Sequence, residues 1–254
     1  MTDPRLHVQS DLAGTAQQIA RPVVDLRDAE GRRQRQLLLG ASVIAYDQAD
    51  SRTLVQAENS YVGWVKTSDL TDTATPTHRV ATFATHAFVA EDMKSPDRAH
   101  LPFGARVTVM DERRKFFETD QGFVPKAHLR PLDRPFEDPA TIAQLHFGVP
   151  YLWGGDSTRG IDCSGLVAAS LTACGIDCPG DSDLQRNALG REITGDLQRG
   201  DLMFWDGHVG MMVDAETMIH ANAHYMATRY EPIANAIIRI AAQGDGPVIA
   251  RRRL

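Results

Sequence analysis

A weak internal repeat limits what the first half of this chain can fold into. Gly63-Trp64-Val65 followed by Leu70 matches Gly122-Phe123-Val124 followed by Leu129, at an offset of 59 (122 minus 63). Upstream, Gly40-Ala41-Ser42-Val43 ending in Asp47 parallels Gly104-Ala105-Arg106-Val107 ending in Asp111. The segments LLLGASVIAYD, SYVGWV, FGARVTVMD and QGFVP combine β-branched or aromatic residues with Gly and Asp punctuation, and none has a long helical period. Both copies read as short strands, and two small β-barrels are the natural interpretation.

Thr, Pro and charged residues replace apolar alternation in TDTATPTH (71–78) and RPLDRPFEDP (130–139), which marks two linkers. The expected division is residues 1–75, 76–132 and 139–254, and a chain of 254 residues has room for it because domains cluster at roughly 100–150 residues. The third unit opens with a predicted helix from Pro139 to Phe147, where Ile142, Leu145 and His146 share a face. It continues as a turn (YLWGGDSTRG), a helix, a Gly/Pro loop and several strands, a pattern of α+β type. Its last segment, QGDGPVIARRRL, is expected to be a terminal strand, with Arg251, Arg252 and Arg253 as a solvated tail.

Composition removes several function classes. Apolar residues are 43% and charged residues 24% of the chain, as in an ordinary soluble globular protein. The net charge of −6, with no basic run longer than three residues, makes nucleic acid an unfavourable partner. The stretch MTDPRLHVQSDLAGTAQQIA has no basic start followed by an apolar run, and no segment approaches ~20 uninterrupted apolar residues. A cytoplasmic protein off the membrane is therefore expected. Three cysteines, an odd number, do not make a disulfide framework and fit a reducing compartment.

Asp162-Cys163-Ser164-Gly165-Leu166-Val167 opens an apolar stretch continued by Leu171 and Cys174 and stopped by Gly175, which places Cys163 at a helix start. There the backbone N–H groups and the helix dipole favour an anion and pull a thiol pKa from ~8.5 toward neutrality. Taken alone, Cys163 also reads as a small buried hydrophobe. Cys174 and Cys178 lack a second ligand pair for zinc, and no metal or organic cofactor is expected. His208, opening HVGMMV after the turn Asp206-Gly207, can take the thiol proton and return it to a leaving amine. His220, twelve residues on (220 minus 208) in the strand TMIHA, can lie beside it and fix its tautomer. With nine histidines in the chain, each also has a plain reading as a surface or core residue.

The ordered segments YLWGG, DCSGLV, GDSDLQ, RGDLMFW, GHVGMMVD and MIHA resemble the NlpC/P60 family of papain-like cell-wall peptidases over nearly all of residues 145–225. The resemblance implies an α+β papain-like catalytic domain preceded by two SH3-like β-barrels, with Cys163, His208 and His220 as a Cys-His-polar triad. It places Tyr151, with the Cys163 backbone N–H, at the oxyanion. With two SH3-like units in front, the chain is similar more narrowly to γ-D-glutamyl-L-diamino acid endopeptidases that act on recycled murein peptides inside the cell. That implies a small murein-derived peptide as substrate and a free L-alanine amino group read by Asp162, Ser164, Asp181 and Ser182. It also implies an aromatic from the first SH3-like unit in the cleft, for which Tyr61 is the candidate. Asp181 and Ser182 equally read as a helix N-cap, and Tyr61 as barrel core. Rival expectations are a papain-like acyltransferase or amidase and a non-catalytic cell-wall binding protein. Nothing in the sequence indicates an oligomeric state.

Overall fold

The computed structural model describes residues 3–8 and 13–254. The chain divides into two compact units, residues 1–134 and 135–254.

The first unit is built of strands, and its repeat is visible in their order. Strands β1 (Thr15–Ile19), β2 (Val23–Arg27), β3 (Arg33–Leu38), β4 (Ser42–Ala49), β5 (Arg52–Ala57), β6 (Val62–Lys66) and β7 (Leu70–Thr71) form one sheet, ordered β3-β2-β6-β5-β4-β1-β7. Next come β8 (His78–Val80), β9 (Ala84–Phe88), β10 (Asp97–Pro102), β11 (Arg106–Val107), β12 (Val109–Glu112), β13 (Phe116–Thr119), β14 (Gly122–Pro125) and β15 (Leu129–Pro131). They pair as β10-β9-β14-β13-β12 and β11-β8-β15. Joining the two orders through β12 and β11, which follow each other in the chain, repeats the first sheet strand for strand. The counterpart of β4 is simply broken in two. In both copies the Gly-aromatic-Val strand, β6 or β14, runs into a short 3-10 turn, Thr67–Asp69 or Lys126–His128, before the last strand.

The repeated glycines have a steric cause. A Cβ on Gly63 would lie 2.8 Å from the Arg27 carbonyl oxygen, and one on Gly122, at φ +120°, would lie 2.5 Å from that of Phe88. Arg27 and Phe88 end the equivalent strands β2 and β9, so in both copies a neighbouring backbone approaches too closely for a side chain. Leu101, Val107 and Val124 fill the second core, and Leu39 from the first half packs into it.

The second unit is α+β. Helix α1 (Pro139–Leu145) starts at Asp138, whose carboxylate accepts from the Ala140 N–H at 3.0 Å while Pro139 occupies the first turn. It stops two residues short of the predicted Phe147, with His146 as its C-cap. A small hairpin, β16 (Asp156–Ser157) with β17 (Gly160–Ile161), leads into α2 (Cys163–Ala173), which ends before Gly175 in the left-handed region (φ +76°). Then follow α3 (Ser182–Ala188), β18 (Arg191–Glu192), β19 (Leu202–Trp205), β20 (His208–Met212), β21 (Thr217–Asn222), β22 (Ala227–Pro232), α4 (Ile233–Gln243) and β23 (Ala250–Arg253). The six-stranded sheet is ordered β18-β23-β19-β20-β21-β22.

Alternation along the strands gives the sheet two buried faces. Leu202, Phe204, Val209, Met211, Ile219 and Ala221 pack with α1 and with Leu166, Val167 and Leu171 of α2. Met203, Trp205, Met212 and Met218 pack against Ala236 and Ile240 of α4. Each fully buried aliphatic side chain contributes about 1.5–3 kcal/mol, so α2 is anchored by its apolar side. Its N-terminus is thereby held at the strand ends.

The terminal strand is present as β23, but its arginines are not a solvated tail. All three are partly buried, and Arg253 donates through Nε and Nη2 to Asp201 at 2.8 and 2.7 Å. Asp201 is 1% exposed, and a buried carboxylate requires such a partner. Among the described residues, no helix is long and apolar enough to cross a membrane.

Candidate active site

Cys163 is the first residue of α2, and Asp162 before it is the N-cap. The Asp162 carboxylate accepts from Gly165 N at 2.7 Å, Ser164 Oγ at 3.0 Å and Gly154 N at 2.9 Å. The acidic residue beside the thiol thus fastens the helix start to the Gly154-Gly155 turn. Gly165 is required there, because a Cβ would stand 2.3 Å from the Gly155 carbonyl oxygen. The Cys163 Sγ lies 3.9 Å from the Gly207 carbonyl oxygen, which brings the thiol to the turn that precedes His208. Cys163, Cys174 and Cys178 are all free cysteines.

His208 Nε2 and His220 Nδ1 share a hydrogen bond of 2.8 Å. The strand register explains it. Met211 faces Ile219 and Met212 faces Met218, so carrying that register on sets His220 opposite Gly210 and diagonal to His208. Gly210 has no side chain between the rings, and the space a Cβ would take is filled by Met218, whose Sδ would be 2.3 Å away.

Behind the pair stand residues that sequence reasoning did not single out. His220 is fully buried, and its Nε2 lies 3.0 Å from Glu231 Oε2 and 3.1 Å from Asn222 Nδ2. Arg239 of α4 donates to Glu231 through Nε at 2.9 Å and Nη2 at 2.7 Å. No motif marks Glu231 or Arg239. The usable signal is the β21–β22 register, in which Glu231 faces Met218 and shares a sheet face with His220.

Burial sets the protonation of this row. Desolvation, then the charges of His220 and Arg239, lower the His208 pKa to about 3, against a smaller opposing pull from Glu231. Desolvation also lowers that of His220, while Glu231 works in the opposite direction. For Glu231 burial acts to raise the pKa, but hydrogen bonds from Arg239 and His220 outweigh it and hold it at about 2. Both imidazoles are therefore neutral and Glu231 is ionised near neutral pH.

Tyr151 is half-buried, with its N–H donating to the Met226 carbonyl at 2.9 Å. Desolvation raises its pKa, and charge on Cys163 and Asp162 adds to the rise, so the phenol keeps its proton close to the thiol. Ser164 is buried. Asp181 occupies the N-cap position of α3 but makes no side-chain capping bond, whereas Ser182 behind it is buried. Gln185 of α3 donates to the Ser164 carbonyl at 2.9 Å, which ties α3 to the first turn of α2. Tyr61 lies in the first unit and is 1% exposed. Among the described residues, no group of three or more His, Cys, Asp or Glu side chains is placed to hold a metal.

The NlpC/P60 family pattern matches residues 148–241, and that of the bacterial dipeptidyl-peptidase Sh3 domain matches residues 26–70. Dipeptidyl-peptidase 6 of Lysinibacillus sphaericus is 36% identical over 87 residues, 34% of this chain but only 32% of that protein. A γ-D-glutamyl-L-lysine dipeptidyl-peptidase of Bacillus cereus is 26% identical over 223 residues, 74% of this chain and 67% of that protein. The crystal structure of an NlpC/P60 family protein from Bacillus cereus superposes with a TM-score of 0.77 at 18% identity, covering 94% of this chain and 99% of that one, and so shares its fold. The chain thus carries an NlpC/P60 domain at residues 148–241 and a bacterial dipeptidyl-peptidase SH3 domain at residues 26–70.

Proposed function

We propose that this protein is a cysteine peptidase that hydrolyses the γ-D-glutamyl–diaminopimelate bond of free murein stem peptides bearing an N-terminal L-alanine. The reading rests first on the 2.8 Å hydrogen bond between His208 and His220, which supplies an oriented imidazole at the strand end that the Cys163 thiol approaches. The names of the relatives from Lysinibacillus sphaericus and Bacillus cereus support the substrate class. Repetition of one strand order in the first unit supports reading residues 76–132 as a second SH3-like domain.

In this reading His208 takes the Cys163 proton, and the thiolate attacks the γ-glutamyl carbonyl to give a tetrahedral oxyanion. The Cys163 N–H, with the protonated Tyr151 phenol, stabilises that charge. The His208 imidazolium gives its proton to the departing amine, leaving a thioester. Neutral His208 then activates water, which releases the acid and restores the thiol. Asp162, Ser164, Asp181 and Ser182 are assigned to the substrate's ammonium group.

A site that pairs an ammonium with carboxylates leaves unpaired charge when the amine is acylated, so N-acetyl peptide should be rejected. The test is mass spectrometry of L-Ala-γ-D-Glu-meso-diaminopimelate, its L-lysine counterpart and their N-acetyl forms with wild type and Cys163→Ala. Cleavage of the free peptides by wild type alone is expected. Hydrolysis by Cys163→Ala would remove the nucleophile assignment, and equal cleavage of acetylated peptide would remove the amine pocket.

A further inference from the structure

The row of groups behind His208 has only one arrangement of protons that satisfies all of it. An ionised Glu231 can only accept, so the short contact from its Oε2 to His220 Nε2 requires a proton on that nitrogen. Asn222 Nδ2 is a donor as well, because Asn222 Oδ1 already accepts from the Tyr225 N–H at 2.9 Å. His220 Nε2 cannot serve both neighbours, and facing a lone pair toward the Glu231 carboxylate would be the costlier choice. With Nε2 protonated and the ring neutral, His220 Nδ1 is an acceptor, and the shared bond runs from His208 Nε2–H to His220 Nδ1. The proton-free nitrogen of His208 is then Nδ1.

Arg239 keeps this from going too far. A buried carboxylate alone beside His220 would draw a second proton onto the ring, and a protonated His220 Nδ1 would donate to His208 Nε2. That would force the His208 proton onto Nδ1, the tautomer unable to act as a base. The two-pronged Arg239 contact neutralises Glu231 while leaving it oriented. Arg239 is itself fixed by donating to Gln243 Oε1 at 2.7 Å and by lying over the Tyr225 ring, 5.7 Å from its centroid. The charged or titratable neighbours of the row include Arg229, directly opposite His220 in the β21–β22 register, Tyr225 and Asp245 beside Arg239, and His224, which bonds to Gln243.

We infer that Glu231 and Arg239 are positioning residues, Glu231 fixing the His220 proton on Nε2 and Arg239 preventing a second proton, so that His208 offers Cys163 an unprotonated Nδ1. The inference deepens the proposed function and rests on its assignment of Cys163 as nucleophile and His208 as base. Nothing in it requires Glu231 or Arg239 to touch substrate.

The test is long-range 1H–15N NMR of histidine-labelled wild type, Glu231→Gln and Arg239→Ala, with turnover measured beside it. The expected wild-type spectrum shows Nε2–H tautomers for both His208 and His220. Glu231→Gln should give mixed His220 tautomers, and Arg239→Ala a protonated His220 with His208 moved toward Nδ1–H. Turnover should fall roughly 10- to 100-fold in both with KM little changed, the scale on which partners that orient a metal-bound imidazole act. Arg239→Lys, which keeps the charge without the fork, should recover part of that loss. An Nδ1–H tautomer for wild-type His220, or variant spectra identical to wild type, would overturn the inference whatever the enzyme cleaves. Activity in Cys163→Ala would instead sink the proposed function and leave the spectral result standing.

Discussion

His208 and His220 meet across a diagonal of two antiparallel strands, with ring centroids 5.1 Å apart and planes inclined at 62°. The edge-on geometry lets one ring nitrogen point at the other, and Gly210, opposite His220, puts no side chain of its own between them. One ring is fully buried and the other partly exposed, so one can be an anchor and the other a reacting group.

Removing either ring separates these roles. His208→Ala is expected to lower turnover about 100- to 10,000-fold, the range for loss of a general base. His220→Gln, which can still present an amide oxygen to His208 Nε2, should lose less than His220→Ala. Steady-state kinetics on the three variants checks this, and equal losses in the two His220 variants would contradict an orienting role.

Stability should decline on mild acidification. Burial lowers the pKa of His146, His208 and His220, so the folded protein keeps these rings neutral where unfolded histidine, with a pKa of about 6.5, is protonated. The unfolded chain binds more protons as pH falls through about 6.5, and stability present above that pH is lost below it. For His208 the window runs down to about 3. Glu231, lowered to about 2, adds a loss that begins below about 4.5. Urea midpoints should be nearly level from about pH 8 to 7 and then fall toward pH 5. A midpoint that rises over that interval would refute the buried-neutral assignment.

Asp162→Ala removes an N-cap and the acceptor for the Gly154 N–H together. The expected cost is about 1–2 kcal/mol for the cap, with a further loss for the buried donor left unpaired. Chemical denaturation measures it, and a change under about 0.5 kcal/mol, the scale of ordinary surface substitutions, would show that α2 does not depend on this carboxylate.

Gly165→Ala places a methyl group against backbone that cannot turn aside. A loss of about 1–3 kcal/mol is expected, with the Gly154-Gly155 turn displaced from the thiol. Thermal unfolding reads the first effect and turnover the second. A variant as stable and active as wild type would mean that the two segments are not in firm contact.

Much of the fold is legible in the sequence wherever its cause is local. The helix carrying Cys163 has a local signature, a capping Asp before an apolar run closed by Gly175, and such signals depend on neighbours in sequence. The strand repeat was legible because close backbone approach selects glycine at matching places, Gly63 and Gly122. Glu231 and Arg239 were not, since a carboxylate on one strand and a guanidinium on the next helix meet His220 only through register and packing. Arg253 was misread for the same reason, because its partner Asp201 is 52 residues away in the chain. Asp162 was ambiguous in sequence, where a capping residue and a ligand-binding acid look alike. The structure gives it three backbone or side-chain donors and with them a definite structural task.

The central proposal is that Cys163 is the nucleophile, its thiol activated by its helix start and by neutral His208 as general base. Exposure alone favours another outcome, since Cys163 is 7% and Cys178 8% exposed while Cys174 is the more open of the three. The decisive measurement is the rate of iodoacetamide modification of each cysteine at neutral pH, followed by peptide mapping in wild type and His208→Ala. Cys163 should react fastest in wild type and slow markedly when His208 is lost, while Cys174 and Cys178 keep their rates. Modification of Cys163 no faster than Cys174, or at the same rate without His208, would contradict the account.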